Sequence, residues 1–420
     1  MKKTSRAWIV AVSVAAILFV VSGIVANTIS LFMTQFNAVY PETGAMSKLA
    51  FYFTVMTGTM ALFQPVARKI FSKVDARVCV SLAVIFATLG FGAISFYSNF
   101  VGWLFSGLFI GLGFSFITYL MGPILINNWF RKNTGSILGV VLAFSNLGGA
   151  LFGSLAGNMI QSMGWQSAMR TLALIACAVG LLFSVFGLRY APDRKKGEAA
   201  FGEDEEKNTK STAAGAEELK GLSFAESLKT PYFWMVAVAV VVCFFGSNFQ
   251  TQATTFARTQ YSFSIVQAGY LSSVLMIGAV CGKVILGAIN DRLGCRGSYS
   301  IGCGSMILGI LVLISGSHSG KVAFGFIGAF LFGFGFATMS IAIPFVVKTI
   351  LGKKYFAQIY GYICSIGTLT SMFSSNIYAT IKDTSGNYYG GMIAASIALA
   401  VGIVMVIAGV GATKNKSWNS

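Results

Sequence analysis

Apolar residues dominate twelve stretches of this chain, at about 7–33, 49–66, 78–97, 99–127, 136–161, 167–189, 232–256, 266–290, 298–316, 321–347, 355–380 and 389–412, with short polar turns between them. A helix rises about 1.5 Å per residue, so runs of this length reach across a hydrocarbon layer about 30 Å thick, and the pattern predicts twelve transmembrane helices. The runs at 99–127 and 321–347 are long enough to tilt or to project past the bilayer. The longest polar interval, 191–231, holds nine of the thirteen acidic residues among Lys, Ala, Gly and Thr, a composition that cannot bury a core. It reads as a linker between a six-helix bundle at 1–190 and a second at 232–420.

The two halves repeat. GFSFITYLMGP runs into WFRKNTGSILG in the first, and GFATMSIAIP runs into LGKKYFAQIYG in the second. Gly113 pairs with Gly335, and Gly139 with Gly361, at one separation of 222 residues, while Pro123 and Pro344 miss that separation by one. Asp75, after the second run, answers Asp291, after the eighth. Weak similarity of this kind about a central linker marks a duplicated transporter fold.

Composition agrees. Of 420 residues, 55% are hydrophobic and only 10% charged, with a mean hydropathy of +0.75, which excludes an ordinary soluble domain. The net charge of +17 is spread in small clusters between apolar runs, which argues against a nucleic-acid partner. With the N-terminus inside, most basic residues fall on the cytoplasmic side, including Lys2, Lys3, Arg6, Arg68, Lys69, Lys73, Arg77, Arg131, Lys132 and those of the linker. Lys48, Arg170, Arg258, Lys321 and Lys382 fall on the other side, so both termini are expected in the cytoplasm. The N-terminal apolar run is about twice as long as a signal-peptide core and reads as a retained first span. Seven dispersed cysteines without a CxxC or metal spacing read as small apolar residues.

One cation interrupts this scheme. Lys283 sits inside the apolar run 266–290, about 12 Å along the helix from Asp291, close to the middle of the bilayer. Such a lysine costs about 2.5–3.5 kcal/mol on insertion scales, so it points to a task, and the reading here is a counter-charge for an anionic substrate. The alternative is a side chain that snorkels to the cytoplasmic interface. Asn27, Asn146, Asn248 and Gln250, all polar within apolar runs, are candidate orienting groups, with helix-to-helix hydrogen bonding as their other role. Gly149, Gly153 and Gly157, and separately Gly278 and Gly282, form GxxxG patterns that permit close helix crossings.

The turn after Lys283 carries G-x-x-x-D-R-x-G-x-R, with Gly287, Asp291, Arg292, Gly294 and Arg296. It resembles the loop signature of the major facilitator superfamily. There Gly287 is expected to let helices approach, Gly294 to support a tight turn, and Asp291 to pair with the arginines as a cytoplasmic gate, with Asp75 as its counterpart in the first half. That first-half copy departs from the signature, with Phe71 for the glycine and Ala76 for the arginine. The segments TPYFW and NNWFRKNTGSILG are similar to those of the oxalate:formate antiporter and monocarboxylate transporter branch. That resemblance implies that Lys283 stands where those families place a substrate-binding arginine, and Tyr119 at an aromatic position of the pocket. The branch's second cation, in span eleven, is here Ile366 before Gly367, and span one lacks its aromatic wall. One lysine balances a monoanion more readily than a dianion.

No acid lies in mid-membrane: the four outside the linker, Glu42, Asp75, Asp291 and Asp383, are at helix ends or in turns, so a proton or sodium relay has no obvious seat. HExxH, GxSxG and Walker motifs are absent, which argues against an enzyme, a metal site, a cofactor or an ATP-driven pump. The sequence therefore leads to an all-α membrane protein of major facilitator fold, twelve transmembrane helices in two pseudo-symmetric bundles, seated in the bacterial inner membrane. It is expected to act as a monomer and to carry a small organic anion, a monocarboxylate first, by alternating access, as a carrier or an exchanger. Export of amphipathic, drug-like compounds and a transporter-like sensor signalling through the linker stay open as alternatives.

Overall fold

The structure, a computed structural model, describes residues 5–39, 46–130, 134–192, 198, 200–202, 221–352, 354–414 and 416. Arg131, Lys132, Glu42 and the linker core at 203–220 lie outside the described residues. Among those described, every long element is a helix: α1 (5–39), α2 (Met46–Lys73), α3 (Ala76–Ala93), α4 (100–129), α5 (Thr134–Met163), α6 (Trp165–Gly187), α7 (231–260), α8 (265–293), α9 (295–319), α10 (322–351), α11 (Phe356–Ser385) and α12 (Tyr389–Thr413). Polar residues fix the starts. Asp75 caps α3 by accepting from the Arg77 N–H at 2.8 Å, and the Asn99 side chain caps α4 by accepting from the Gly102 N–H at 3.0 Å. Ser264 and Gln267 form a reciprocal capping box at the start of α8.

Among the described residues, eight helices are long and apolar enough to cross a membrane, where the apolar pattern predicts twelve. The difference has local causes. α8 and α9 run together as one 55-residue helical stretch whose only non-helical residue is Gly294, at φ 68° and ψ −176°. The first part of α4 is only 17 residues long, because a π-helical turn at Ile117–Met121 interrupts it. α2 carries Lys48, Arg68, Lys69 and Lys73, and α11 is rich in Ser and Thr, so neither is among the eight.

The chain divides into two compact units, Met1–Thr43 with Val55–Glu217, and Gly44–Thr54 with Glu218–Ser420. The first turns of α2 thus group with the second unit, where Thr54 donates to the Met372 carbonyl at 2.6 Å. In the first unit, α1 crosses α5 on glycine: a Cβ on Gly23 would lie 2.7 Å from the Gly148 Cα, and one on Gly148 would meet the Phe19 carbonyl. Arg6 and Arg77 close the exposed end of α6, donating to the carbonyls of Phe186 at 3.0 Å and Leu188 at 2.9 Å, which that helix leaves without intrahelical partners. In the second unit, α8 crosses α10 in the same manner. Cβ atoms on Gly278 and Gly282 would meet the carbonyls of Phe330 and Phe334, and one on Gly333 would meet the carbonyl of Leu275.

The ends of the linker dock at equivalent places. Phe201 bridges to Phe130 at the end of α4, and Gly221 bridges to Gly352 at the end of α10, the two anchor residues again 222 apart. Phe201 also meets Trp8, and Phe224 stacks on Tyr362 with ring centroids 4.0 Å apart.

Candidate functional site

Among the described residues, four helices are interrupted within their length at paired places in the repeat. α1 passes through a turn at 26–28, where Ala26 and Thr28 still donate to the carbonyls of Ser22 and Ile24, and α7 tightens to a 3-10 turn at Asn248–Gln252. α4 widens to the π turn at Ile117–Met121 and α10 breaks at Ala337. Irregular backbone is tolerated at membrane depth only where protein or a water-lined cavity meets its freed polar groups, so these breaks mark the polar level of each unit.

Lys283 belongs to that level in the second unit. Its neighbour Gly282 lies against the Phe334 carbonyl and 3.0 Å, as a built Cβ, from the Ala337 side chain at the α10 break. Phe249, on the α7 break, meets Phe332 of α10 with ring centroids 5.6 Å apart. Phe332 and Phe334 are about 3 Å apart along the helix, so Lys283 and the α7 break stand within one helical turn of each other in height, on either side of α10. Lys283 is half-buried.

The α7 break is held by α11 and α12. Asn248 donates from Nδ2 to the Phe244 carbonyl and to Ser371 Oγ, both at 2.8 Å. Thr251 and Ser375 share a hydroxyl hydrogen bond of 2.7 Å, and Tyr388 donates to Gln252 Oε1 at 3.2 Å. Behind them Phe249, Phe256, Phe332, Tyr378 and Tyr388 form an edge-to-face cluster that seats the break rigidly. Thr338, fully buried just past the α10 break, keeps a hydroxyl oxygen with no hydrogen-bond partner among the described residues. The sequence pattern alone does not distinguish Ser371, Ser375, Thr251 and Thr338, although five hydroxyl residues from Thr368 to Ser375 signal an unusually polar span.

Of the other candidates, Gln250 lies half-buried on the same break. Asn27 lies on the α1 break in the first unit, donating to the carbonyls of Ser22 at 3.2 Å and Ser145 of α5 at 3.4 Å. Asn146 is buried on α5 in that unit. Tyr119 falls on the π turn of α4, and its side chain lies outside the described residues.

The α8–α9 turn differs from its sequence reading in two respects. A Cβ on Gly287 would meet nothing within 4 Å, so no close helix approach requires that glycine. Asp291, Arg292 and Arg296 are exposed, and among the described residues Asp291 forms no ion pair with either arginine. Gly294 holds a positive φ, a conformation that L side chains rarely adopt. Asp75 serves as the α3 cap described above.

A separate groove of about 610 Å³ runs along α1 and α5 in the first unit, walled by Trp8, Val12, Phe19, Val140, Phe144 and Phe201 and almost wholly apolar.

Comparison with known proteins adds the lineage. The sequence model of the Major Facilitator Superfamily matches residues 7–375. The "Uncharacterized MFS-type transporter YhjX" of Escherichia coli (strain K12) is 24% identical over 322 residues, 76% of this chain and 75% of that protein. A "Putative tartrate transporter" of Agrobacterium vitis is 22% identical over 354 residues, 82% and 81% of the two. The fold is similar to that of a bacterial homolog of the human lysosomal transporter Spinster, with a TM-score of 0.68, 13% identity and 98% of each chain covered.

Proposed function

Because the chain belongs to the major facilitator superfamily, and is therefore a multi-pass membrane transport protein and not an enzyme, we propose that it carries small organic anions, monocarboxylates first, with Lys283 as their counter-charge. The observation that supports this reading is that Gly282, next to Lys283 in the chain, packs at the α10 break, at the height of the α7 break with its fixed amide and hydroxyl donors. An ammonium is a point charge with three donors and does not orient a carboxylate as a guanidinium fork does. Asn248 and the hydroxyls of Thr251 and Ser371 supply the direction that the lysine lacks, with Gln250 beside them. The name of the Agrobacterium relative, "Putative tartrate transporter", supports an anionic cargo.

The protein works as a monomer in the bacterial inner membrane, with twelve spans, both termini cytoplasmic, and six-helix bundles at 1–190 and 232–420 joined by a cytoplasmic linker. It follows the oxalate:formate and monocarboxylate branch. Bound substrate neutralises Lys283 and favours the closed intermediate, whereas the empty site keeps the lysine hydrated, so an exchanger's empty return is slow. Gly294 is the hinge of the gate turn, with Asp291, Arg292 and Arg296 as its exchanging charges. Proteoliposomes preloaded with formate, lactate or oxalate and offered the labelled form test this directly: saturable exchange of at least one is expected, and its absence for all carboxylates overturns the reading. The apolar groove on α1 and α5 favours a second reading, export of amphipathic compounds. Raised drug resistance in a susceptible host, abolished by Phe144→Ser, would favour that instead.

A further inference from the structure

Beyond its break, α7 continues as the eight-residue segment Ala253–Gln260, ATTFARTQ, which is polar yet turned inward: Ala253 to Ala257 are all buried. Its polar groups sort into two sets. Thr255 hydrogen-bonds Tyr388, and Thr259 donates to the Thr255 carbonyl at 2.9 Å. Thr254 Oγ1 and Arg258 Nη1 are sealed from solvent without a hydrogen-bond partner among the described residues, and Thr254 is only 1% exposed. Four positions apart on a helix, these two donors stand one above the other on one face. No described carboxylate answers the guanidinium: Asp383 is paired with Lys382 at 3.6 Å, and Glu198 with Arg189 at 2.7 Å.

Buried donors are paired in nearly all folded proteins, and a guanidinium does not shed its charge to escape burial. We propose that Arg258 and Thr254 form a second anion site, for a small carboxylate, in the half of α7 remote from Pro231. A guanidinium presents two parallel N–H bonds that match a carboxylate, and the threonine hydroxyl donates a third. The site is distinct from Lys283. Arg258 lies nine residues beyond Phe249, about 13 Å along the helix, farther than a small monocarboxylate spans. It stands whether or not Lys283 binds cargo, and it gives an anion a resting place on that side of the polar level.

The test is residue-resolved labelling of Arg258 by phenylglyoxal in the intact purified protein, read by peptide mass spectrometry, with the exposed Arg292 and Arg296 as internal references. In lipid-free neutral detergent, acetate at ten times its Kd is expected to slow Arg258 labelling about tenfold and leave the reference arginines unchanged. Glycerol is expected to protect nothing. Protection should persist in Lys283→Gln and weaken in Thr254→Val, a replacement of the same shape without the hydroxyl. Labelling indifferent to acetate, or loss of protection in Lys283→Gln, overturns the site. Protection by sulfate but not acetate overturns the carboxylate assignment. Protection found only in phospholipid nanodiscs without added acetate assigns the guanidinium to headgroup phosphate and likewise overturns it.

Discussion

Asn27 and Asn248 hold similar places, one residue short of the 222 separation: each lies on the break of the first helix of its half, and each donates to a carbonyl of its own helix and to the neighbouring helix of the repeat. Their surroundings differ on the partner helix. A Cβ on Gly149 would come within 2.8 Å of the Asn27 side chain, while the residue 222 positions later, Ser371, offers Asn248 a hydroxyl at 2.8 Å. A close-packed joint in one half is thus a polar joint in the other, and the polar joint is on the half that carries Lys283.

Removing that hydroxyl should alter transport more than stability. Ser371→Ala leaves Asn248 its bond to the Phe244 carbonyl, so about 0.5–1.5 kcal/mol of stability is expected to be lost. The apparent KM for a carboxylate should rise while the melting temperature in detergent barely moves. An unchanged KM would remove Asn248 and Ser371 from the binding wall.

The glycine crossing in the first half should behave oppositely. In Gly148→Ala the new methyl lands on the Phe19 carbonyl, and overpacking of this kind costs about 1–3 kcal/mol. Gly361→Ala meets nothing within 4 Å and is expected to be neutral or stabilising by up to about 1 kcal/mol. Thermal unfolding of both variants in one detergent checks the contrast.

Gly294 tests the hinge. Its φ and ψ, 68° and −176°, fall where only glycine rests easily, so Gly294→Ala should cost about 1–3 kcal/mol and slow exchange, whereas Gly287→Ala should do neither. Equal transport by the two variants contradicts that role.

The linker's docked end predicts a pH dependence. The Ser223 N–H donates to Glu226 at 2.8 Å and holds its carboxyl below the usual glutamate range. The folded form therefore binds its proton less readily than the unfolded form. The contribution is full above about pH 4.3 and is lost as pH falls through the lowered value. Trp234, which donates to the Leu228 carbonyl at 3.1 Å, should report the loss as a fluorescence change below about pH 4.3 that Glu226→Gln lacks. A transition shared by both proteins contradicts the assignment.

The apolar runs and the 222-residue repeat were legible because bilayer thickness and duplication act on sequence directly, and Gly294 was legible because few residues tolerate its backbone. The breaks at 26–28 and 248–252 were not. Nothing in ANT or NFQTQ forbids a helix; at the second break the side-chain amides of Asn248 and Gln252 bond to Ser371 and Ser375 of α11, contacts that only tertiary packing supplies. Gly287 misled because a motif position does not reveal whether a neighbour stands opposite. Arg258 read as an ordinary interfacial charge, since burial of one guanidinium nitrogen is a property of packing.

The central claim concerns one ammonium, and carboxylate exchange in proteoliposomes by the wild type, Lys283→Arg and Lys283→Gln tests it most directly. The predicted result is exchange retained in Lys283→Arg and lost in Lys283→Gln, with all three proteins melting alike. Undiminished exchange by a folded Lys283→Gln protein would contradict it.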